Sequence, residues 1–270
     1  MPELPEVEIT RRGIAPRIEG RTVTEVVVRN PRLRWPIPRT LPFDVAGAEV
    51  KKVSRRAKYL VFETSRGSML LHLGMSGSLR LLERETPASV HDHVDIVFED
   101  QLLRFRDPRR FGCLLWHAGS IDKHPLLRNL GIEPLDGQFS GEFLHRFTRR
   151  RHVAIKQLIM NQAIVVGVGN IYASESLFRA GIRPRTPSHR LNRSRCDRLA
   201  RCIVETLQDA LKAGGSSLRD YVQSSGELGC FQLQTLVYDR AGEPCRSCGT
   251  PIKMIRQGQR STFYCAHCQK

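Results

Sequence analysis

The chain has 270 residues, with 43 Lys+Arg against 27 Asp+Glu, a formal net charge of +16 and a pI of about 10.1. That length accommodates two domains whose cores need no disulfide staples. The basic residues cluster at Arg55-Arg56-Ala57-Lys58, Arg104 to Arg110 and Arg149-Arg150-Arg151, which points to a polyanionic partner, most simply nucleic acid, rather than a solvated surface. No apolar run is long enough to span a bilayer, so no membrane partner is expected.

The start, MPELPEVEIT, carries Glu3, Glu6 and Glu8 and no apolar signal-peptide core, so a cytoplasmic location is expected. Proline and acidic residues suit a first helical turn. With Val7, Ile14 and Ile18 at near-helical spacing, they predict a helix from about Pro5 toward Glu19. Pro2 and Glu3 precede that helix and are left unexplained by it.

Strand patterns follow: Thr22 to Val28, Tyr59 to Glu63, Met69 to Leu73, Leu79 to Leu82, Val94 to Phe98, Leu102 to Phe105 and Cys113 to Trp116. Short apolar or alternating runs separated by turn residues predict a sandwich or a barrel-like pair of sheets. Two loops in this block are unusual. HLGMSGSL puts Met75 between glycines, and RFRDPRRFG puts Arg109, Arg110 and Phe111 in a turn opened by Asp107-Pro108. An apolar side chain on a basic loop is what wedging between bases requires, although a phenylalanine folded back onto its sheet is the plainer alternative. HDH at His91 to His93 has no third ligand nearby in sequence. A polar strand end or a phosphate contact is expected there rather than a metal.

Beyond about Pro125 the pattern turns helical: Phe143 to Phe147, Ala154 to Asn161, Tyr172 to Arg179, and Ser194 to Lys212 with a stripe at Leu199, Ile203, Leu207 and Leu211. Ser194 is the expected cap of the last helix. VVGVGNIYASE sets Gly167 and Gly169 before a helix starting near Asn170, an arrangement that lets backbone N–H groups meet a phosphate. The Ser/Gly-rich stretch from Gly214 to Gly229 carries the loop signals of a lid.

The tail contains Cys245-x-x-Cys248 and Cys265-x-x-Cys268. Two such knuckles joined by a hairpin form a four-thiolate cage, which predicts one structural Zn2+ per chain and a tail whose folding depends on it. Four thiolates leave no open position for catalysis. Cys113, Cys196, Cys202 and Cys230 are read as small buried apolar residues.

Taken together, MPELPEVE, RRAKYL, HLGMSGSL, HDHVD, DPRRFG, GVGNIYASE and the four-cysteine finger with QRSTFYC resemble the bacterial formamidopyrimidine-DNA glycosylase family, in the family's order and over essentially the whole chain. Leu4 resembles the purine-specific branch rather than endonuclease VIII, which begins PEGPE and prefers oxidised pyrimidines. The resemblance implies an α+β, two-domain fold. An N-terminal β-sandwich with flanking helices (1–124) is followed by a helical DNA-binding region with a helix-two-turn-helix and lid loop (125–235) and a four-cysteine zinc-ribbon finger (236–270).

The resemblance further implies a base-excision-repair enzyme, a DNA-formamidopyrimidine glycosylase with DNA-(apurinic or apyrimidinic site) lyase activity. Its expected partner is double-stranded DNA containing oxidised purines, and it is expected to be a nucleoid-associated monomer. Pro2, freed by removal of Met1, would be the nucleophile, and Glu3 the general acid/base with Glu6 in support. Lys58 would transfer protons in β-elimination and contact phosphate. Arg260 would bind phosphate and serve δ-elimination. Met75, Arg109 and Phe111 would fill the void left by the flipped base, with Arg109 bonding the orphaned cytosine. His72, His91, Arg151 and Asn170 would contact the DNA backbone, and Ser216 to Gly229 would cover the base. Cys230 stands where relatives often carry an aromatic residue. The rival readings are an endonuclease VIII-like enzyme and a non-catalytic zinc-ribbon DNA-binding protein.

Overall fold

The structure, a computed structural model, describes residues 2–215 and 235–270. The described residues divide into two compact units, 2–128 with 213–215, and 129–212 with 235–270. Among them no helix is long and apolar enough to cross a membrane.

The first unit opens with helix α1, Leu4–Ile18. Its buried face carries Leu4, Val7, Ile14 and Ile18, the stripe expected from their spacing. A capping box starts it. The Glu6 carboxylate accepts the Glu3 backbone N–H at 2.7 Å and the Glu3 side chain accepts the Glu6 N–H, so two orphan donors are satisfied reciprocally. The residues that looked superfluous to the helix thus include its cap.

Eight strands follow: β1 Glu25–Val28, β2 Val50–Arg56, β3 Tyr59–Thr64, β4 Ser68–His72, β5 Ser78–Glu83, β6 Asp92–Val97, β7 Gln101–Arg106 and β8 Cys113–His117. They form two antiparallel four-stranded sheets, β1-β6-β7-β5 and β2-β3-β4-β8. The inward residues Val26, Leu79, Val94, Leu103 and Phe105 of one sheet and Val53, Leu60, Phe62, Met69 and Leu71 of the other join α1 in a single apolar core. This is the sandwich expected from alternation. Strand β2 and the short helix α2, Leu41–Val45, were not predicted.

The second unit holds α3 Gly141–Thr148, α4 Ile155–Ile159, α5 Asn170–Arg179 and α6 Arg193–Lys212, with α6 packed on α3 and α5. Leu199, Ile203 and Leu207 are buried as their spacing predicts. The cap differs from expectation. Asn192 Oδ1 accepts the Arg195 N–H at 2.9 Å, so the helix begins two residues before Ser194 could cap it, because an Asn at that position reaches the third amide equally well. A hairpin of β9 Lys253–Gln257 and β10 Arg260–Tyr264 completes the unit. Its two-residue turn, Gly258-Gln259, has φ of +56° and +59°, the positive angles that a tight hairpin needs. Phe178 of α5, Val237, Ile252 and Phe263 form one small core with Cys245 and Cys265, so hairpin and helices share buried surface.

Candidate functional site

In the first unit, Pro2 and Glu3 are buried at the head of α1, Glu3 with only 1% of its surface exposed. Helix α1 packs on β2 and β3. Arg55 reaches Glu8 across that contact at 3.2 Å. Burial raises the Glu8 carboxyl, but hydrogen bonds from Arg11 and Arg12 outweigh it, and the group is held below the usual carboxylate range. Lys58, 8% exposed, sits in the β2–β3 turn behind Ala57, whose φ is +54°. Gly215 lies against Ile9 and Glu6: a Cβ there would come 3.3 Å from Glu6 Oε1. The segment expected to form a lid therefore leaves the described chain beside Glu6. That stretch, from Ser216 to Gly229, and Cys230 lie outside the described residues.

The ring of His72, at the end of β4, lies 4.8 Å from that of Tyr59, tilted at 60° to it. Burial, then the charges of Lys58 and Arg34, depress its pKa to about 4. Its Nδ1 accepts the Gly74 N–H at 2.9 Å, which leaves Nε2 as the protonated, donating nitrogen of a neutral ring. Burial pushes the nearby Cys113 thiol up to about 12, so it stays protonated, as the reading of a buried apolar residue requires. Of the HDH motif, His93 and Asp92 are buried. The His93 ring Nε2 donates to the Asp107 carbonyl at 2.8 Å, and Asp92 bonds Ser89 and Arg106. These are the polar contacts of a strand end. Phe111 does not fold back onto the sheet. It is 45% exposed, with the Arg109 guanidinium 5.2 Å from its ring centroid.

In the second unit, Asn170 opens α5 with Gly169 as its N-cap, and Gly167 has φ +81°. The Asn170 amide is tied within the protein. Its Oδ1 accepts from Lys156 Nζ at 2.7 Å and its Nδ2 donates to Ser261 O at 2.9 Å. Lys156 also donates to Thr262 Oγ1 at 2.7 Å. This network fastens the residues beside Arg260 to the start of α5. Lys156, 2% exposed on α4, drew no attention in the sequence, because a lysine on a short helix reads as surface. Glu175 was missed for the same reason. Its buried carboxylate accepts the N–H groups of Leu236, Val237 and Tyr238 at 2.8–3.0 Å. Burial nevertheless pushes its pKa up. Arg151 is exposed beyond α3, its guanidinium 5.6 Å from the Phe147 ring.

The four tail cysteines converge, all four Sγ atoms lying within 4.8 Å of one another. Cys245 and Cys268 are 3.9 Å apart, Cys248 and Cys265 3.5 Å. A Zn2+ holding four thiolates at ~2.3 Å sets them about 3.8 Å apart. These separations fit that cage and are far too long for disulfides. The second knuckle is braced by buried Gln269, which accepts the Cys265 N–H at 2.9 Å and donates to Ile182 O at 2.8 Å.

Comparison with known proteins matches this organisation. Residues 1–114 match the formamidopyrimidine-DNA glycosylase N-terminal domain, 130–222 that protein's H2TH domain, and 242–270 the zinc finger found in FPG and IleRS. The formamidopyrimidine-DNA glycosylases of Paraburkholderia phymatum and Cupriavidus pinatubonensis are 59% and 56% identical, with all of both chains covered. Among solved structures, the MutM (Fpg) protein of Thermus thermophilus superposes with a TM-score of 0.90 at 37% identity, covering 99% of this chain and 98% of that one. The Lactococcus lactis Fpg complex with abasic-site DNA superposes at 0.92 and 33% identity, covering 99% of each chain. The sandwich, the helical region and the thiolate cage are thus those of known relatives over the full length, and the chain belongs to the formamidopyrimidine-DNA glycosylase family.

Proposed function

We propose that the protein is a bifunctional DNA glycosylase and AP lyase of base excision repair, acting as a monomer on oxidised purines, 8-oxoguanine and formamidopyrimidines, in double-stranded DNA. The observation that carries the reading is Glu3, a carboxylate 1% exposed beside Pro2, in a chain 56–59% identical to formamidopyrimidine-DNA glycosylases over its full length. Among those relatives, the Lactococcus lactis protein is known in complex with Fapy-dG-containing DNA.

Pro2, once Met1 is removed, carries a secondary amine. A model α-amino group has a pKa of about 7.7–8.0 against about 10.4 for lysine, so far more of it is nucleophilic near neutrality. Its nitrogen bonds to the sugar C1′ as the C1′–base bond breaks, the base departs with the bonding electrons, and the proton of the attacking amine passes to the departing base. Glu3 gives a proton to the ring oxygen, the ring opens, and an iminium forms between C1′ and Pro2. The iminium acidifies the C2′ proton. Its loss expels the 3′ phosphate (β-elimination), and a second elimination expels the 5′ phosphate (δ). Lys58 serves the first proton transfer, and Arg260 binds phosphate and serves the second. The cage holds one Zn2+ that keeps the hairpin bearing Arg260 folded.

The damaged base must leave the stack first. Met75, Arg109 and Phe111 fill the space, with Arg109 donating to the acceptors of the orphaned cytosine. Excision of 8-oxoguanine opposite cytosine is therefore expected to exceed that opposite adenine by about tenfold or more, the worth of one good base contact. It is also expected to exceed excision of dihydrouracil in the same duplex. Equal rates opposite both bases would remove Arg109 from this role, and faster dihydrouracil release would make the substrate an oxidised pyrimidine.

His72, His91, Arg151 and Asn170 contact the DNA backbone, Asn170 through the start of α5 since its amide serves Lys156 and Ser261. Because His72 is held neutral, it releases no counterion. His72→Ala is expected to weaken binding without changing its salt dependence, whereas Arg151→Ala lowers the slope of log K against log salt by about 0.9. Fluorescence anisotropy across a salt series at pH 7.5 reads both. The same depressed pKa makes His72 destabilising in acid. From about pH 6.5 down to about 4 the unfolded chain takes up its proton and the folded one does not, so stability falls across that window.

A further inference from the structure

Met75 and the pair Arg109 and Phe111 stand on two different loops, the β4–β5 loop and the β7–β8 loop. A set of side chains that must enter one vacated base position needs fixed mutual geometry. The two loops are built into each other at backbone level. A Cβ on Gly74 would meet Gly112 N and the Phe111 carbonyl carbon at 2.4 Å, and one on Gly112 would meet His72 O at 2.7 Å. No side chain fits at either place, so only glycine permits this approach.

Ser76 and Asp107 sit inside that junction, 2% and 0% exposed. Ser76 Oγ donates to Asp107 Oδ1 at 2.8 Å and accepts the Arg109 N–H at 3.2 Å. Only one hydroxyl orientation satisfies both, with the proton toward the carboxylate and a lone pair toward the amide. Asp107 Oδ2 accepts the Gly112 N–H at 2.8 Å. The Asp107 N–H donates to His91 O at 3.0 Å, and its carbonyl accepts from His93 and Arg110. Thus the residue after Met75 holds the amide of Arg109, and one buried carboxylate holds the residue after Phe111.

We propose that Ser76 and Asp107 are positioning residues that clamp Met75, Arg109 and Phe111 into one rigid set, so that selection of the base opposite the lesion depends on a hydroxyl buried away from DNA. The inference rests on the reading of Arg109 given above as the cytosine contact.

The test is Ser76→Ala in the full-length, zinc-loaded protein, read by amide hydrogen exchange without DNA and by the ratio of 8-oxoguanine excision opposite cytosine and adenine. Removing the hydroxyl leaves a buried N–H and a carboxylate oxygen each short of a partner. Exchange at Arg109 is expected to accelerate on the order of tenfold, and the ratio to fall by a similar factor. Ser76→Thr, which keeps the hydroxyl, is expected to retain both. Asp107→Asn sets its amide donor against either the Gly112 N–H or the Ser76 O–H, and is expected to speed exchange at Gly112 or at Arg109 accordingly. Unchanged exchange in Ser76→Ala and Asp107→Asn would overturn the clamp whatever the activity. Faster exchange with an unchanged ratio, where Arg109→Ala abolishes the ratio, would overturn the positioning role. If Arg109→Ala itself leaves the ratio unchanged, the cytosine reading fails, and exchange alone still decides the clamp.

Discussion

Glu3→Gln is expected to lower excision of 8-oxoguanine by about two to four orders of magnitude while leaving thermal stability nearly unchanged. The two effects separate because the proposed mechanism gives Glu3 a second role beside capping. As a cap, its side chain accepts the Glu6 N–H while Glu6 accepts the Glu3 N–H. Glutamine keeps an acceptor oxygen in that place, so the cap survives, and even full loss of a cap costs only ~1 kcal/mol. As the proposed general acid, Glu3 would deliver a proton to the sugar ring oxygen, which an amide cannot do, and a positioned acid is worth ~100- to 10,000-fold. Single-turnover excision and a melting curve on the same preparation read the two. Near-normal excision would make Glu3 a helix cap only. Loss of excision accompanied by a large drop in melting temperature would mean that the chemistry and the fold had not been separated.

Removing the metal is expected to abolish DNA binding while the sandwich stays folded. Structural zinc contributes ~10–16 kcal/mol in isolated fingers, as much as a whole domain's stability of ~5–15 kcal/mol. Without it, nothing bonds the four sulfur atoms, which lie within 4.8 Å of one another, into a cage. The damage spreads within the second unit, because Cys245 and Cys265 share a core with Phe178 of α5. The Lys270 N–H also pairs with Gly181 O at 3.1 Å. Arg260 and the start of α5 would lose their common support through Lys156. The two tryptophans of the chain, Trp35 and Trp116, both lie in the first unit. Their emission therefore reports on the sandwich alone. A chelator titration should end DNA binding and lower far-UV helix signal at a point where tryptophan emission is still native. Simultaneous loss of all three signals would contradict independent folding of the two units.

Much of this was legible in the sequence because it depends on local pattern. The sandwich strands announce themselves by alternation and turn residues, and the thiolate cage by paired spacings. Strand β2 escaped because a register shift between Val50 and Lys52 breaks its alternation and leaves VKKVSRR with two apolar residues three apart. Helix α2 escaped because five residues give no period and Phe43 on it is 81% exposed. The candidate site divides the same way. Pro2, Glu3, Met75, Arg109 and the finger stand out through unusual local context. Ser76, Asp107, Lys156 and Glu175 do not, because what makes them distinctive is a partner far along the chain: Asp107 lies 31 residues from Ser76, and Thr262 lies 106 from Lys156. A serine in a glycine loop or a lysine on a short helix has no sequence signature of burial.

The proposed mechanism stands or falls on Pro2 acting as the nucleophile. Borohydride trapping on a duplex carrying 8-oxoguanine opposite cytosine, followed by peptide mass mapping, tests it most directly. The expected result is one covalent adduct, its iminium reduced to a tertiary amine, on an N-terminal peptide beginning at Pro2. That product requires removal of Met1, attack by the proline nitrogen and an iminium intermediate together. A protein whose intact mass shows free Pro2, which binds the duplex tightly and yet gives no adduct, would contradict the claim and leave Pro2-Glu3 as the opening of a helix.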